Sequence, residues 1–167
     1  MILPESAARE SSNDFERSYR ESARSAFLLA RQLGRTAEEA GDIVQDAAMR
    51  AWRYRATRTG DFKPWFLTIV YRQARRRRLV EWLPLPNGWD VAGPDAVSSA
   101  MDPELLGALR RLPVRQRTAM WLHYCDDLPV ADVARIMSCS EAAAKQLLLR
   151  GRTQLRKRLQ KMEDESR

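Results

Sequence analysis

Arginine and lysine supply most of the side chains in this sequence that could do chemistry. Arg75, Arg76, Arg77 and Arg78 are consecutive, and Lys145, Arg150, Arg152, Arg156 and Lys157 crowd a second stretch. A guanidinium only donates hydrogen bonds and keeps its proton, so these groups bind rather than react. Their natural ligand is a phosphate backbone, which they neutralise while releasing its counterions. Aromatic residues accompany the first block: Trp52, Phe62, Trp65 and Phe66. An aromatic ring beside cations can hold an unstacked base. Of these rings Trp65 is expected to face a ligand, whereas Trp52, Phe66 and Trp121 are expected in the core.

Groups that move protons or electron pairs are scarce. His123, Cys125 and Cys139 lack the paired spacing of a metal site, so no metal is expected. Two cysteines cannot build a disulfide framework, and both read as small buried apolar residues. No Ser/His/Asp, Cys/His or paired-carboxylate pattern has supporting context. The expectation is a binding protein, not an enzyme, with no catalytic residue and no cofactor.

Composition agrees. The 167 residues include 29 Lys+Arg and 22 Asp+Glu, a net charge of +7, and 44% are apolar. That apolar content can build a core, and the basic excess suits a polyanion. No apolar run approaches the roughly 20 residues that span a bilayer. The opening MILPESAARE lacks the pattern of a signal peptide. A soluble cytoplasmic protein without a membrane partner is expected.

The charge is unevenly distributed. Residues 50–78 hold ten basic side chains and one acidic, Asp61, while residues 79–101 hold three acidic and no basic. Residues 102–162 are basic again, twelve against six. The acidic gap contains Pro84, Pro86, Gly88, Gly93 and Pro94, a density that breaks helices and strands alike. Residues 81–101 therefore read as a flexible linker between two domains.

The elements that position the basic blocks are helical. Phe15, Tyr19, Ala23, Ala26, Phe27, Ala30 and Leu33 recur at helical spacing before Gly34. Thr36 and Glu39 make a capping-box pattern for a second helix, with Ala40, Ile43, Val44, Ala47, Ala48 and Ala51 as its apolar stripe. Asp61 can cap a third helix, with Pro64 in its first turn. In the second half Asp102-Pro103-Glu104 is a strong helix start. A helix from Pro113 to Asp126 follows, then a short one around Val133, a turn at Ser138–Ser140, and a long helix over about 141–160. Ala144, Leu148, Gly151, Leu155 and Leu159 share one stripe of it, and the cations fall outside. Two helices across so short a turn form a helix-turn-helix, whose second helix can enter a major groove. The fold class is all-α: a three-helix domain over 13–80 and a four-helix domain over 102–161. Residues 1–12 are expected as a flexible N-terminus and 162–167 as a tail.

GDIVQDAAMRAW (41–52), DFKPWFLTIVYRQARRRR (61–78) and the stretch from Ala108 to Leu159 resemble, in order, the signatures of extracytoplasmic-function (group 4) sigma factors. The resemblance implies sigma region 2 for the first domain and region 4 for the second. It implies transcription initiation, with core RNA polymerase (β′ clamp and β flap), promoter DNA and an anti-sigma factor as partners. Asp42, Ile43, Val44, Gln45 and Asp46 would dock on the β′ clamp. Arg53, Arg55, Arg58, Asp61, Phe62, Trp65, Arg72, Arg75, Arg76 and Arg77 would hold the melted −10 element. Arg115, Arg117, Ser140, Glu141, Ala144, Lys145, Leu147, Arg150 and Arg152 would serve the −35 element.

The chain departs from the family pattern at defined places. Arg72 stands where Asn is usual, Ser138 where the turn usually has Gly, and Pro129 where a Ser cap is usual. Ala143 and Leu147 replace a common Thr and a common Arg. Two other readings stay open from the residues: a stand-alone helix-turn-helix regulator, and a sigma-like interaction module without promoter-directing activity.

Overall fold

The computed structural model describes residues 5–80 and 102–165, with side chains beginning at Ser12 and omitted at 77–80, 162, 163 and 165. The expected linker, residues 81–101, lies outside the described residues. Seven α-helices and no strand occur among them. α1 is Glu5–Gln32, α2 Ala37–Arg53 and α3 Phe62–Val80; α4 is Pro103–Arg110, α5 Val114–Met120, α6 Val130–Ile136 and α7 Glu141–Glu165. α1 begins ten residues before Phe15, so residues 5–12 are helical where a flexible arm was expected. Glu5, Ala7, Ala8, Arg9 and Glu10 are good helix formers, and the helix simply continues through them. α7 likewise runs into the expected tail.

Local chemistry sets the corners. After α1, Gly34 takes φ +83° and the Arg35 N–H donates to Ala30 O at 3.3 Å, closing a Schellman-type end. α2 opens with the full capping box: Glu39 N–H donates to Thr36 Oγ1 at 3.2 Å and Thr36 N–H to Glu39 Oε2 at 2.8 Å. Asp102 caps α4 by accepting from Glu104 N–H at 2.7 Å.

α1, α2 and α3 form the first bundle. Leu29, Ile43, Phe66, Leu67 and Val70 are fully enclosed at its centre. Burying each such side chain contributes about 1.5–3 kcal/mol. Arg35, itself buried, donates from Nη2 to Ala74 O at 2.6 Å and ties the α1–α2 corner to the end of α3.

α4 to α7 form the second bundle around Leu122, Val133, Ile136, Met137 and Ala144. At its middle the helix of α5 widens into a π turn over Trp121–Cys125. Asp126 N–H donates five residues back to Trp121 O at 3.1 Å, and Asp127 follows at φ +55°. α5 and α7 approach closely at Gly151, where a Cβ would stand 2.8 Å from Met120 Cγ. The two bundles touch: α3 packs on α6 and α1 on α5, so the buried residues form one connected cluster.

The turn between α6 and α7 holds Ser138 at φ +52°, the left-handed conformation that its missing glycine would have made easy. Cys139 N–H still donates to Ala134 O at 2.9 Å, so the turn is kept and the serine carries the strain. A non-glycine residue there costs about 1–2 kcal/mol, while glycine's extra unfolded-state freedom costs about 0.5–1 kcal/mol. Ser138→Gly is expected to stabilise the protein by about 0.5 kcal/mol. Thermal unfolding followed by circular dichroism measures it, and a lower midpoint in the variant would refute the strain.

Candidate nucleic-acid interface

α2 presents one polar face. Asp42, Gln45 and Asp46 are exposed, with Met49 and Trp52 continuing the row at helical spacing. Ile43 and Val44 point the opposite way and are buried in the core at 0% and 6% exposure. Of the five residues expected to dock on a protein partner, three therefore offer side chains and two hold the helix in place. The physical reason is periodicity: positions 40, 43, 44, 47 and 51 face α1 and α3. Met49, 63% exposed, is the residue that sequence reasoning missed. Its apolar type suggested nothing unusual, but its position off that stripe was a readable signal.

Beyond α2 the chain turns through a 3-10 turn at Arg55–Thr57 and enters α3. Phe15, Trp52, Phe62 and Trp65 form a chain of ring contacts here. Phe15 meets Trp52 edge-on at 5.1 Å and Phe62 at 5.4 Å, and Phe62 meets Trp65 at 5.9 Å. The Arg55 guanidinium lies 3.8 Å over the Trp52 ring and also donates to Trp52 O at 2.7 Å. Arg58 stands 5.8 Å from the Phe62 ring. The result is an aromatic wall with two guanidinium groups on it.

Exposure along that wall corrects an expectation. Trp65, expected to face a ligand, is half-buried and packs on the core, whereas Trp52, expected in the core, is exposed. Phe66 and Trp121 are buried as expected; Phe62, expected to hold the melted −10 element, is buried too, because it packs against Phe15 and Phe66. Trp65 lies one turn into α3, whose inner face is committed to α1 and α2; Trp52 sits in the last turn of α2, where Phe15 of α1 meets only its edge.

On α3, Arg72, Arg75 and Arg76 are exposed, and Arg75 leans over Tyr71 at 5.6 Å. The side chain of Arg77 lies outside the described ones. Arg53 at the end of α2, Arg55 in the 3-10 turn, and Arg58 and Asp61 before α3 are exposed. The connecting-segment cations thus lie around Trp52 at the start of α3, and the α3 cations stand on its later turns, toward the α1–α2 corner that Arg35 ties to Ala74.

The second bundle carries a separate surface. Glu141, Lys145, Arg150 and Arg152 are exposed on α7, and Arg115 is exposed on α5. Ser140 accepts from Ala143 N–H at 3.1 Å and so caps α7, which leaves its hydroxyl proton to give. Ala144 is fully buried and Leu147 half-buried against the core, so neither offers much to a groove. Arg117 is turned inward: it donates to Arg110 O and to Gln32 O, both at 2.7 Å. Three of the nine residues expected at this surface are therefore held by the fold.

His123 and the cysteines serve other ends. The His123 ring meets Leu128 O at 2.7 Å through Nδ1 and helps close the π turn. Cys125 is exposed and Cys139 half-buried, where both were expected inside. Partial burial, and then the neighbouring Asp126 charge, raise the Cys125 thiol above its ordinary range and keep it protonated. No group of three or more metal-ligating side chains occurs among the described residues. No described helix is long and apolar enough to cross a membrane.

Comparison with known proteins gives matches in both halves. The family model for sigma-70 region 2 matches residues 19–82, and that for sigma-70 region 4 matches residues 103–155. The ECF RNA polymerase sigma factor SigJ of Mycobacterium tuberculosis is 37% identical over 139 residues, which cover 74% of this chain and 44% of SigJ. The ECF RNA polymerase sigma factor SigM of Mycobacterium tuberculosis is 32% identical over 148 residues, 84% of this chain and 74% of SigM. Among solved structures, the sigma factor RpoE of Bartonella quintana, crystallised with the anti-sigma factor NepR, shares the fold at a TM-score of 0.65 and 24% identity, covering 88% of this chain and 97% of that one. The crystal structure of SigJ superposes at a TM-score of 0.55 with 32% identity, over 81% of this chain and 50% of SigJ.

The Arg55–Trp52 stack generates a test of its own. Replacing Trp52 by alanine is expected to weaken binding of a fluorescent single-stranded DNA oligonucleotide by about 1–3 kcal/mol, the worth of one base–aromatic stack. Trp52→Phe should recover most of it. Anisotropy titration reads both, and an alanine variant that binds like the parent would remove Trp52 from the interface.

Proposed function

The chain belongs to the extracytoplasmic-function sigma factors of the sigma-70 family, and from that premise we propose that it binds core RNA polymerase and directs it to a subset of promoters. The first bundle is region 2 and the second region 4. Asp42, Gln45, Asp46 and Met49 on α2 form the docking face for the β′ clamp. Carboxylates at its centre suit a basic partner surface, and an exposed methionine adds adaptable apolar contact. Region 4 meets the β flap.

Region 2 holds the opened −10 element. Arg53, Arg58, Arg72, Arg75 and Arg76 neutralise the backbone, and the Trp52–Arg55 stack receives an unpaired base. Unpairing costs a few kcal/mol, which a stacking platform and phosphate contacts offset. Region 4 sets α7 in the major groove of the −35 element. Glu141 and Lys145 stand in its first turns, where a recognition helix reaches base edges. Arg150 and Arg152 lie further along, within reach of phosphates. The polymerase performs the chemistry, and an anti-sigma factor is the expected regulator.

The observation that carries this reading is the Arg55 guanidinium stacked 3.8 Å over an exposed Trp52, on the bundle whose third helix exposes Arg72, Arg75 and Arg76. A purely structural helix pair has no need of that arrangement. Run-off transcription with purified core polymerase over a genomic fragment library tests it and yields the promoter sequence. Absence of any promoter-dependent transcript alongside tight core binding would favour a sigma-like interaction module instead.

Two substitutions divide the labour. Asp46→Arg is expected to weaken core binding by a few kcal/mol with the circular dichroism spectrum unchanged. Arg76→Ala is expected to lower affinity for all promoters alike and to flatten the log–log salt slope by roughly 0.7–0.9. A changed promoter preference at constant slope would place Arg76 on a base rather than on phosphate.

A further inference from the structure

The methionines of this chain divide sharply by exposure. Met49, near the end of α2, is 63% exposed, whereas Met120 and Met137 are enclosed in the second bundle at 7% and 1%. The side chains of Met1, Met101 and Met162 lie outside the described ones. Helical spacing puts Gln45 and Asp46 one turn before Met49, and Trp52 and Arg53 one turn after it, and all four are exposed. The stripe that faces α1 and α3, at positions 40, 43, 44, 47 and 51, leaves Met49 out. The core of the first bundle therefore does not depend on its thioether.

A thioether is soft and flexible, and it adapts an apolar contact to partner surfaces of varied shape. Its sulfur also accepts an oxygen atom. With hydrogen peroxide as oxidant, a sulfur lone pair attacks one peroxide oxygen, and the S–O bond forms as the O–O bond breaks. The departing oxygen takes up the proton of the transferred one and leaves as water. Sulfur loses two electrons and the peroxide gains them. The product is a polar, chiral sulfoxide, which methionine sulfoxide reductases return to the thioether. Access decides which methionine reacts, and packing screens Met120 and Met137. Cys125 is exposed as well, but partial burial and then the Asp126 charge keep its thiol protonated, and the thiolate is the reactive form.

We propose that Met49 is an oxidation site, converted by peroxide to the sulfoxide, and that this conversion weakens the docking of α2 on core polymerase. The inference rests on the reading of α2 as the docking face. Asp42, Gln45 and Asp46 give that face its polar groups, and Met49 and Trp52 give it exposed apolar ones. A sulfoxide pressed against a surface fitted to a thioether loses its water without gaining a donor, which is unfavourable. The fold is spared, because Met49 stands outside the core. In the assembled complex the partner covers Met49, so the oxidant acts on unbound chains.

Peroxide treatment of the full-length chain tests the site, with the added oxygen located by peptide mass spectrometry. Met49 should be oxidised before Met120 and Met137, with the circular dichroism spectrum unchanged. Affinity of the treated chain for core polymerase should fall roughly tenfold. Dithiothreitol alone reverts sulfenic acids and disulfides but should not restore binding. Methionine sulfoxide reductases A and B, with dithiothreitol as reductant, should restore it, the sulfoxide oxygen leaving as water. Met49→Leu, whatever its own affinity, should be indifferent to peroxide, although its other methionines and both cysteines remain. Met49→Gln, polar and of similar length, should bind core polymerase weakly without any oxidant. Oxidation of Met49 no faster than that of Met120, or a Met49→Leu chain that peroxide still weakens, would overturn the proposal. Asp46→Arg separates it from the docking reading. If Asp46→Arg weakens core binding and oxidation of Met49 does not, the docking face stands and the oxidative effect is refuted. If neither weakens it while Met49 still oxidises first, the docking reading fails and the oxidation site stands.

Discussion

The burial of α3 is the constraint on which the rest of the molecule depends. Phe66, Leu67, Val70, Tyr71 and Ala74 commit one side of this helix to α1 and α2. The buried Arg35 then fixes its far end through the Ala74 carbonyl. With that side fixed, helical geometry leaves Arg72, Arg75 and Arg76 no place but solvent. The same helix also faces α6, so a single element sets both the exposed basic face and the contact between the bundles.

Arginine does two jobs in this chain, and the fold sorts them. Arg31 and Arg35 are buried and donate hydrogen bonds to main-chain carbonyls, where they act as struts. Arg117 spans from one bundle to the other in the same manner. A guanidinium suits this use because it carries five donors in a rigid fork and a long apolar stem. The arginines left outside on α3, Arg72, Arg75 and Arg76, present their guanidinium groups to solvent. A net charge therefore says how much polyanion attraction is available in total, and burial says which residues exert it.

The two small bundles gain from each other. Domains of this length bury a limited share of their surface alone, and contact between them adds to a connected core. The contact includes a charged pair, Lys63 and Asp126, whose Nζ and Oδ1 lie 3.3 Å apart.

Local rules made much of this protein legible from its sequence. The capping box at Thr36 and Glu39, the Asp102-Pro103 start and the Gly34 stop act over three to five residues, and each stands where it reads. Periodicity placed Ile43 and Val44 inside, and Ser138 in a strained turn followed from one missing glycine. The family, and with it the fold, followed from motifs in register along the chain. Tertiary structure alone decided which tryptophan is open, that Arg117 is turned inward, and that Asp126 faces Lys63 and Ser25. Those outcomes rest on contacts across long separations, 101 residues in the case of Ser25 and Asp126. No helical period, cap or charge run encodes them, because they exist only once two surfaces, each complete in itself, have been packed together.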